Sequence, residues 1–161
     1  MFHLPTKVWE AVCKHAAQTY PDECCGVIVE RNRTLEVVPV TNVQNELHAR
    51  DPQTFPRTAR TAYSMKYEEV APLLEAAYRG ELRLVAFYHS HPEHDAYFSA
   101  EDRAAAEGWL EDPQYARAFQ VVLSLRAGKV VDAAAFAWSP DTKDFVPVPL
   151  AVDETPLRGR G

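Results

Sequence analysis

The sequence predicts an α+β domain in which a mixed, mainly antiparallel β-sheet is flanked by helices. Three observations carry this. Short apolar runs of strand character outnumber the helices between them, so strict β-α-β alternation does not fit and hairpins must join several strands. The chain has 161 residues, close to the rough prior of ~150 per domain, which favours one unit. Its residues are 47% hydrophobic, enough to bury a core and to exclude a disordered chain. The domain is expected over residues 1–150, with 151–161 as a flexible tail.

The elements follow in order. Thr6 to about Gln18 reads as a helix, because Val8, Trp9, Val12 and Ala16 recur at helical spacing behind Pro5. Tyr20-Pro21-Asp22 stops it. Cys24 to Val29 is a short apolar run and reads as a buried strand, turned by Arg31-Asn32-Arg33 into a second strand, Leu35 to Val40. Thr41 to Pro56 is polar and holds two prolines, so a long loop of functional length is expected. Arg60 to Tyr63 is expected as a short strand. Lys66 to Tyr78 places Val70, Leu73, Leu74 and Ala77 on one helical face. Pro72 inside it predicts a kink or a late start, and Gly80 a C-terminal cap. Leu82 to Tyr88 is another buried strand. Ser99 to Leu110 reads as the third helix, ended by Asp112-Pro113. Phe119 to Leu125, Val130 to Trp138 and Phe145 to Val148 complete the strands, with Ala127-Gly128 as the turn between the first two.

Composition narrows the function classes. The formal charge is -6 and the basic residues are scattered, whereas a nucleic-acid partner calls for a basic patch. The longest apolar runs are far too short to span a bilayer. Met1-Phe2-His3-Leu4-Pro5 has neither a cationic start nor an apolar stretch, so no secretion signal is expected. The 3 cysteines are an odd number and argue against a disulfide framework; a reducing cytoplasm fits best.

One spacing carries chemistry: His89-Ser90-His91-Pro92, then Ser99-Ala100-Glu101-Asp102. Residues two apart on a strand face the same side. Two imidazoles at a strand end can therefore share one metal, and the first turn of the next helix can return Asp102 beside them. Three protein ligands and one open position is the catalytic zinc pattern, with nitrogen at ~2.0–2.1 Å and carboxylate oxygen at ~2.0–2.2 Å. Ser99 to Asp102 also reads as a capping box, and both readings can hold at once. His94 and Asp95 are rival ligands placed in a loop. Glu23, at the edge of the strand that starts at Cys24, could reach over a pocket as a base. An isolated glutamate is more often a solvated surface group, and sequence distance cannot place it beside His89. Trp9, Trp109 and Trp138 read as core or edge packing, and His3, His15 and His48 as solvated.

Over roughly Leu4 to Val148 the chain resembles the JAMM (MPN+) metalloprotease family. Two stretches carry the resemblance. Glu23-Cys24-Cys25-Gly26 looks like the family's early Glu-x-Cys-Gly segment. His89-Ser90-His91-Pro92 with Ser99 and Asp102 matches its His-x-His-Pro and Ser-x-x-Asp at the right separation. The resemblance implies one zinc per chain held by His89, His91 and Asp102, with Glu23 as general acid/base and Ser99 supporting the oxyanion. It implies a curved sheet wrapped by helices, like that of cytidine deaminases. It implies cleavage of a peptide or isopeptide bond after the C-terminal glycine of a ubiquitin-like or sulfur-carrier protein ending in Gly-Gly. The segment 41–56 is the candidate for lining the groove that takes this tail. One departure is Phe98, which stands where many relatives have proline just before the motif serine.

Three rivals remain at this stage. An MPN-type binding scaffold without catalysis would typically lack some ligands, and here all are present. A cysteine hydrolase would use Cys24 or Cys25, but neighbours on a strand face opposite ways and both sit in an apolar run. A zinc deaminase lacks support because its Pro-Cys-x-x-Cys signature is missing.

Overall fold

Strands that are apolar on both faces require cover on both faces. The computed structural model, which describes residues 1–153 and the backbone of 155–156, supplies it. In chain order the elements begin with β1 (Phe2–Leu4), α1 (Thr6–Thr19), β2 (Cys25–Arg31), β3 (Thr34–Val40) and α2 (Gln44–Arg50). There follow α3 (Tyr67–Tyr78), β4 (Arg83–Pro92), α4 (Ala100–Glu107), α5 (Pro113–Arg117) and β5 (Phe119–Arg126). The chain closes with β6 (Lys129–Ser139), β7 (Asp144–Val148), β8 (Leu150–Val152) and β9 (Thr155–Pro156).

The main sheet has the order β3-β2-β4-β5-β6-β7. Its neighbours pair antiparallel except β4 and β5, which are parallel and joined across α4 and α5. The expected α+β sheet is thus observed. Side chains alternate between two cores. Ile28, Tyr88, Val121, Leu123 and Ala135 face α1, whose stripe Val8, Val12 and Ala16 packs on them. Val27, Val29, Leu84 and Phe87 face α3 and α5. Each fully buried aliphatic side chain contributes about 1.5–3 kcal/mol, so both faces hold the sheet.

Several elements depart from the sequence reading. The segment 41–56 contains α2, whose only buried residue is Gln44. With no apolar stripe, periodicity cannot reveal it. Arg60 to Tyr63 is not a strand; nearby, Asn42 and Met65 form an isolated bridge. The third helix is shorter than expected and stops at Glu107; Asp112-Pro113 instead starts α5, where Asp112 caps the N-terminus by accepting from the Gln114 N–H and proline sits in the first turn. α3 runs on through an exposed Pro72 and starts without delay. β1 and β8 were too short to read. They pair in parallel and set Phe2, Leu4 and Leu150 into the α1-side core. The expected tail 151–161 therefore begins inside β8; residues 154 and 157–161 lie outside the described residues. The Ala127-Gly128 turn is as expected: both residues have positive φ (50° and 79°), the geometry of a two-residue hairpin turn. Among the described residues, no helix is long and apolar enough to cross a membrane.

Gly26 has a packing reason. A Cβ there would lie 2.3 Å from the ring of Tyr88, its cross-strand partner. Tyr88 cannot swing aside, because it is fully buried and its hydroxyl lies 2.7 Å from His15 Nδ1. His15 is therefore half-buried and partnered, not solvated. Gly26→Ala is expected to cost about 1–3 kcal/mol by overpacking. A urea midpoint equal to that of the parent chain would refute this account.

Candidate metal centre

β4 continues through the motif to Pro92, so His89 and His91 lie within a regular strand. Their side chains share the face that looks toward α4, while Tyr88 points into the opposite core. The two Nε2 atoms are 3.2 Å apart. Asp102, on the first turn of α4, brings Oδ2 to 3.0 Å from His89 Nε2 and 3.1 Å from His91 Nε2. The capping box is also formed. The Ser99 side chain accepts from the Asp102 N–H at 3.0 Å, and Asp102 Oδ2 accepts from the Ser99 N–H at 3.0 Å. Helix capping thus fixes the carboxylate that faces the imidazoles.

The donor set fits a tetrahedral ion. Ligands at ~2.0–2.1 Å from one centre stand roughly 3.3 Å from each other, close to the edges of this triangle. The His91 Nδ1 lies 2.9 Å from the Asp95 carbonyl, which only accepts, so Nδ1 carries the proton and Nε2 presents its lone pair.

Glu23 comes from the other side. β2 pairs antiparallel with β4 in the register Cys25 to His89, and Ser90 N donates to the Cys24 carbonyl. One step further along this ladder sets Glu23 opposite His91, on the same face. A carboxylate oxygen of Glu23 and one nitrogen of each imidazole lie within 4.8 Å of one another, a group that could hold a metal ion. Glu23 is 4% exposed, and its Oε1 is buried without a hydrogen-bond partner. Its backbone is pinned: Glu23 N donates to the Ala59 carbonyl, and Asn42 Nδ2 donates to the Glu23 carbonyl. Asn42 Nδ2 also donates to the Ala62 carbonyl, and its Oδ1 accepts from Gln44 N and Ser64 N.

Burial and charge sort the two carboxylates. Burial pushes the Glu23 carboxyl up to about 9, Asp102 adds to the rise, and Arg57 opposes it. Burial also works on Asp102, but His89 and His91 outweigh it and hold that carboxyl well below the usual range. Burial lowers His89 more than Asp102 raises it, so the imidazole is neutral, as a ligand must be. Between pH 4.5 and about 9 the folded, metal-free chain keeps a Glu23 proton that the unfolded chain releases. Rising pH therefore disfavours the fold over that window. Glu23→Gln is expected to stabilise the metal-free protein at pH 7 by about 1–3 kcal/mol. The gain should fade as pH drops toward 4.5; denaturant melts at both pH values check it, and a gain independent of pH refutes it.

A cavity of about 470 Å³ opens over the site, lined by Glu23, Arg57, Thr61, His91, Ser99 and Asp102 among others. Arg57 and Thr61 follow the segment 41–56, so this wall lies just beyond the stretch singled out in the sequence. Arg57 reaches across to Glu101 at 2.8 Å. Tyr63 stacks on His89 with ring centroids 4.5 Å apart. Neither residue carried a sequence signal, since each acts only through a long-range contact. Of the rival ligands, exposed His94 lines the cavity, while the Asp95 carboxylate turns away to Arg126 at 2.7 Å. Cys24 and Cys25 face opposite cores. Burial pushes the Cys24 thiol up to about 12 and raises Cys25 as well, so neither is a nucleophile at neutral pH.

Comparisons with known proteins bear on the family and the fold. The chain is 39% identical over 94 residues to a desampylase of Haloferax volcanii, covering 56% of this chain and 59% of that protein. It is 28% identical over 104 residues to the tail tip assembly protein K of Escherichia phage N15, covering 65% of this chain and 36% of that one. The match thus spans less than two thirds of either relative. Among solved structures, a Desulfitobacterium hafniense protein superposes with a TM-score of 0.65 at 22% identity, covering 96% of this chain and 95% of that one. A JAB1/MPN domain protein from Archaeoglobus fulgidus gives 0.52 at 12% identity, covering 96% and 100%. The model of the prokaryotic homologs of the JAB domain matches residues 5–148. The chain, its fold and its motif spacing together, belongs to this family of prokaryotic JAB-domain homologs.

Proposed function

We propose that the protein is a zinc-dependent hydrolase, a metallopeptidase that cuts a peptide or isopeptide bond after the C-terminal glycine of a ubiquitin-like or sulfur-carrier protein. The observation that carries this reading is one convergence. His89 Nε2, His91 Nε2 and Asp102 Oδ2 form a triangle of 3.0–3.2 Å edges beside a buried, unpartnered oxygen of Glu23. Asp102, close to both imidazoles, is the third ligand, and Glu23 is left for proton transfer. Likeness to a desampylase supports a ubiquitin-like substrate.

The bound ion would supply Lewis acidity, polarising a carbonyl and lowering the pKa of a water toward neutrality. The chain's own residues do the rest. Glu23 removes a proton from the attacking water and returns it to the leaving amine. The Ser99 Oγ already accepts from Asp102 N, so its hydroxyl proton remains free to donate to the developing oxyanion. A Gly-Gly tail is thin enough to enter the cavity between Arg57 and Ser99, and the segment 41–56 with α2 backs that wall.

Retention of every ligand and of Glu23 weighs against a silent scaffold. Cys13, Cys24 and Cys25 are all free thiols, which suits a cytoplasmic site of action. Zinc content and cleavage of a linear fusion to a ubiquitin-like protein ending in Gly-Gly test the reading together. About one zinc per chain and chelator-sensitive cleavage are expected. A chain that holds zinc but cuts no such fusion would redirect the substrate assignment. One that cuts with zinc removed would overturn the mechanism.

A further inference from the structure

We propose that Arg126 is a positioning residue of the metal centre. It holds residues 93–95 so that the Asp95 carbonyl fixes His91 as its Nδ1–H tautomer, with Nε2 turned to the ion. The inference rests on the metal reading above.

A buried histidine here depends on an exposed stretch of chain. His91 is 5% exposed, yet the carbonyl that sets its tautomer belongs to Asp95, in a stretch where Glu93, His94 and Asp95 are all exposed. Such a stretch would ordinarily be mobile. Glu93 moreover has φ +61°, a conformation that non-glycine residues adopt only when their surroundings impose it. Those surroundings come from the end of β5. Arg126 Nη1 donates to the Glu93 carbonyl at 2.6 Å, and Nη2 donates to Asp95 Oδ1 at 2.7 Å. Ser124 Oγ donates to the His94 carbonyl at 2.5 Å, and Glu93 N donates to the Leu125 carbonyl at 2.7 Å. The Glu93 carboxylate accepts from Tyr20 Oη at 2.6 Å and Ala127 N at 2.8 Å. Every residue from 93 to 95 is thus tied, and Arg126 alone ties two of them.

The two ends of this clamp predict different things. An ion pair as exposed as Arg126 with Asp95, 45% and 78%, contributes little to fold stability. Groups that orient a ligating histidine, by contrast, typically change metal affinity 10–100-fold when removed. A merely structural arginine would shift melting and leave affinity alone; a positioning arginine does the reverse. Lysine reaches one of the two partners but has no planar fork for both.

The test measures zinc affinity by competition with a chromophoric chelator, on wild type, Arg126→Met, Arg126→Lys and Arg83→Met. The last breaks a surface ion pair between Arg83 of β4 and Glu30 of β2 and serves as control. Arg126→Met is expected to weaken zinc about 10–100-fold, with Arg126→Lys between it and wild type, the control unchanged, and melting of the metal-free forms nearly equal. Nitrogen-15 spectra of the metal-free protein should show His91 as one tautomer in wild type and a mixture in Arg126→Met. Wild-type affinity in Arg126→Met overturns the clamp and leaves the metal centre standing. A wild type that takes up no zinc overturns the metal reading and the clamp with it. If Arg126→Met does not fold, Arg126→Lys decides by the same comparison.

Discussion

Glu23→Gln is expected to keep its zinc and lose most of its turnover, by about 10²–10⁴-fold, the range general acid–base catalysis typically provides. The amide has the shape of the carboxylate but cannot take up a proton. Glu23 is suited to that task by what surrounds it. Among the described residues its Oε1 has no hydrogen-bond partner, so none of them competes for the proton. Burial raises its affinity for that proton, up to about 9 in the metal-free chain, and a divalent cation alongside would draw the value back down. Asp102, which lines the same cavity, is held charged by the imidazoles. Two carboxylates pushed in opposite directions are the usual mark of divided roles. The measurement is kcat with the fusion substrate beside zinc content of the same preparation. Full activity in Glu23→Gln would remove Glu23 from the chemistry. Loss of zinc with activity would make it a ligand.

His91→Ala is expected to lose the metal altogether. It removes one corner of the triangle and leaves His89 and Asp102, too few for a catalytic zinc site, which takes three protein ligands. The change also removes one of the two donors to the Asp95 carbonyl, leaving Tyr97 N at 3.1 Å. The clearest readout is thermal: a zinc ion that binds only the folded chain would raise the melting temperature, adding about 2.7 kcal/mol of stability at 100-fold excess over the dissociation constant. Wild type should show this shift and His91→Ala should not. Elemental analysis should find about one zinc per chain in the first and little in the second. A variant that still binds stoichiometric zinc would show that Glu23 takes the vacated corner.

The legible part of the fold was the part with local periodicity. α1 is visible because Val8, Val12 and Ala16 return every turn, and β2 and β4 because both faces are buried. α2 was hidden because its order comes from hydrogen bonds to Asn42 and Gln44 rather than from an apolar stripe. β1 and β8 were hidden because three-residue strands exist only through long-range or later pairing, β1 with β8 and β8 with β9.

The same division runs through the site. By itself the sequence determined the donor triangle, since both its spacings are local. A period of two sets His89 and His91 on one face of a strand, and a capping box sets Asp102 on the first turn of α4. The family resemblance pointed to Glu23, but only tertiary structure sets it beside them, with Tyr63 stacked on His89 and Arg57 in the cavity wall. The antiparallel register of β2 on β4 brings Glu23 across from His91 over a gap of more than sixty residues. No local pattern encodes such a register, because it is chosen by how two buried faces pack at once.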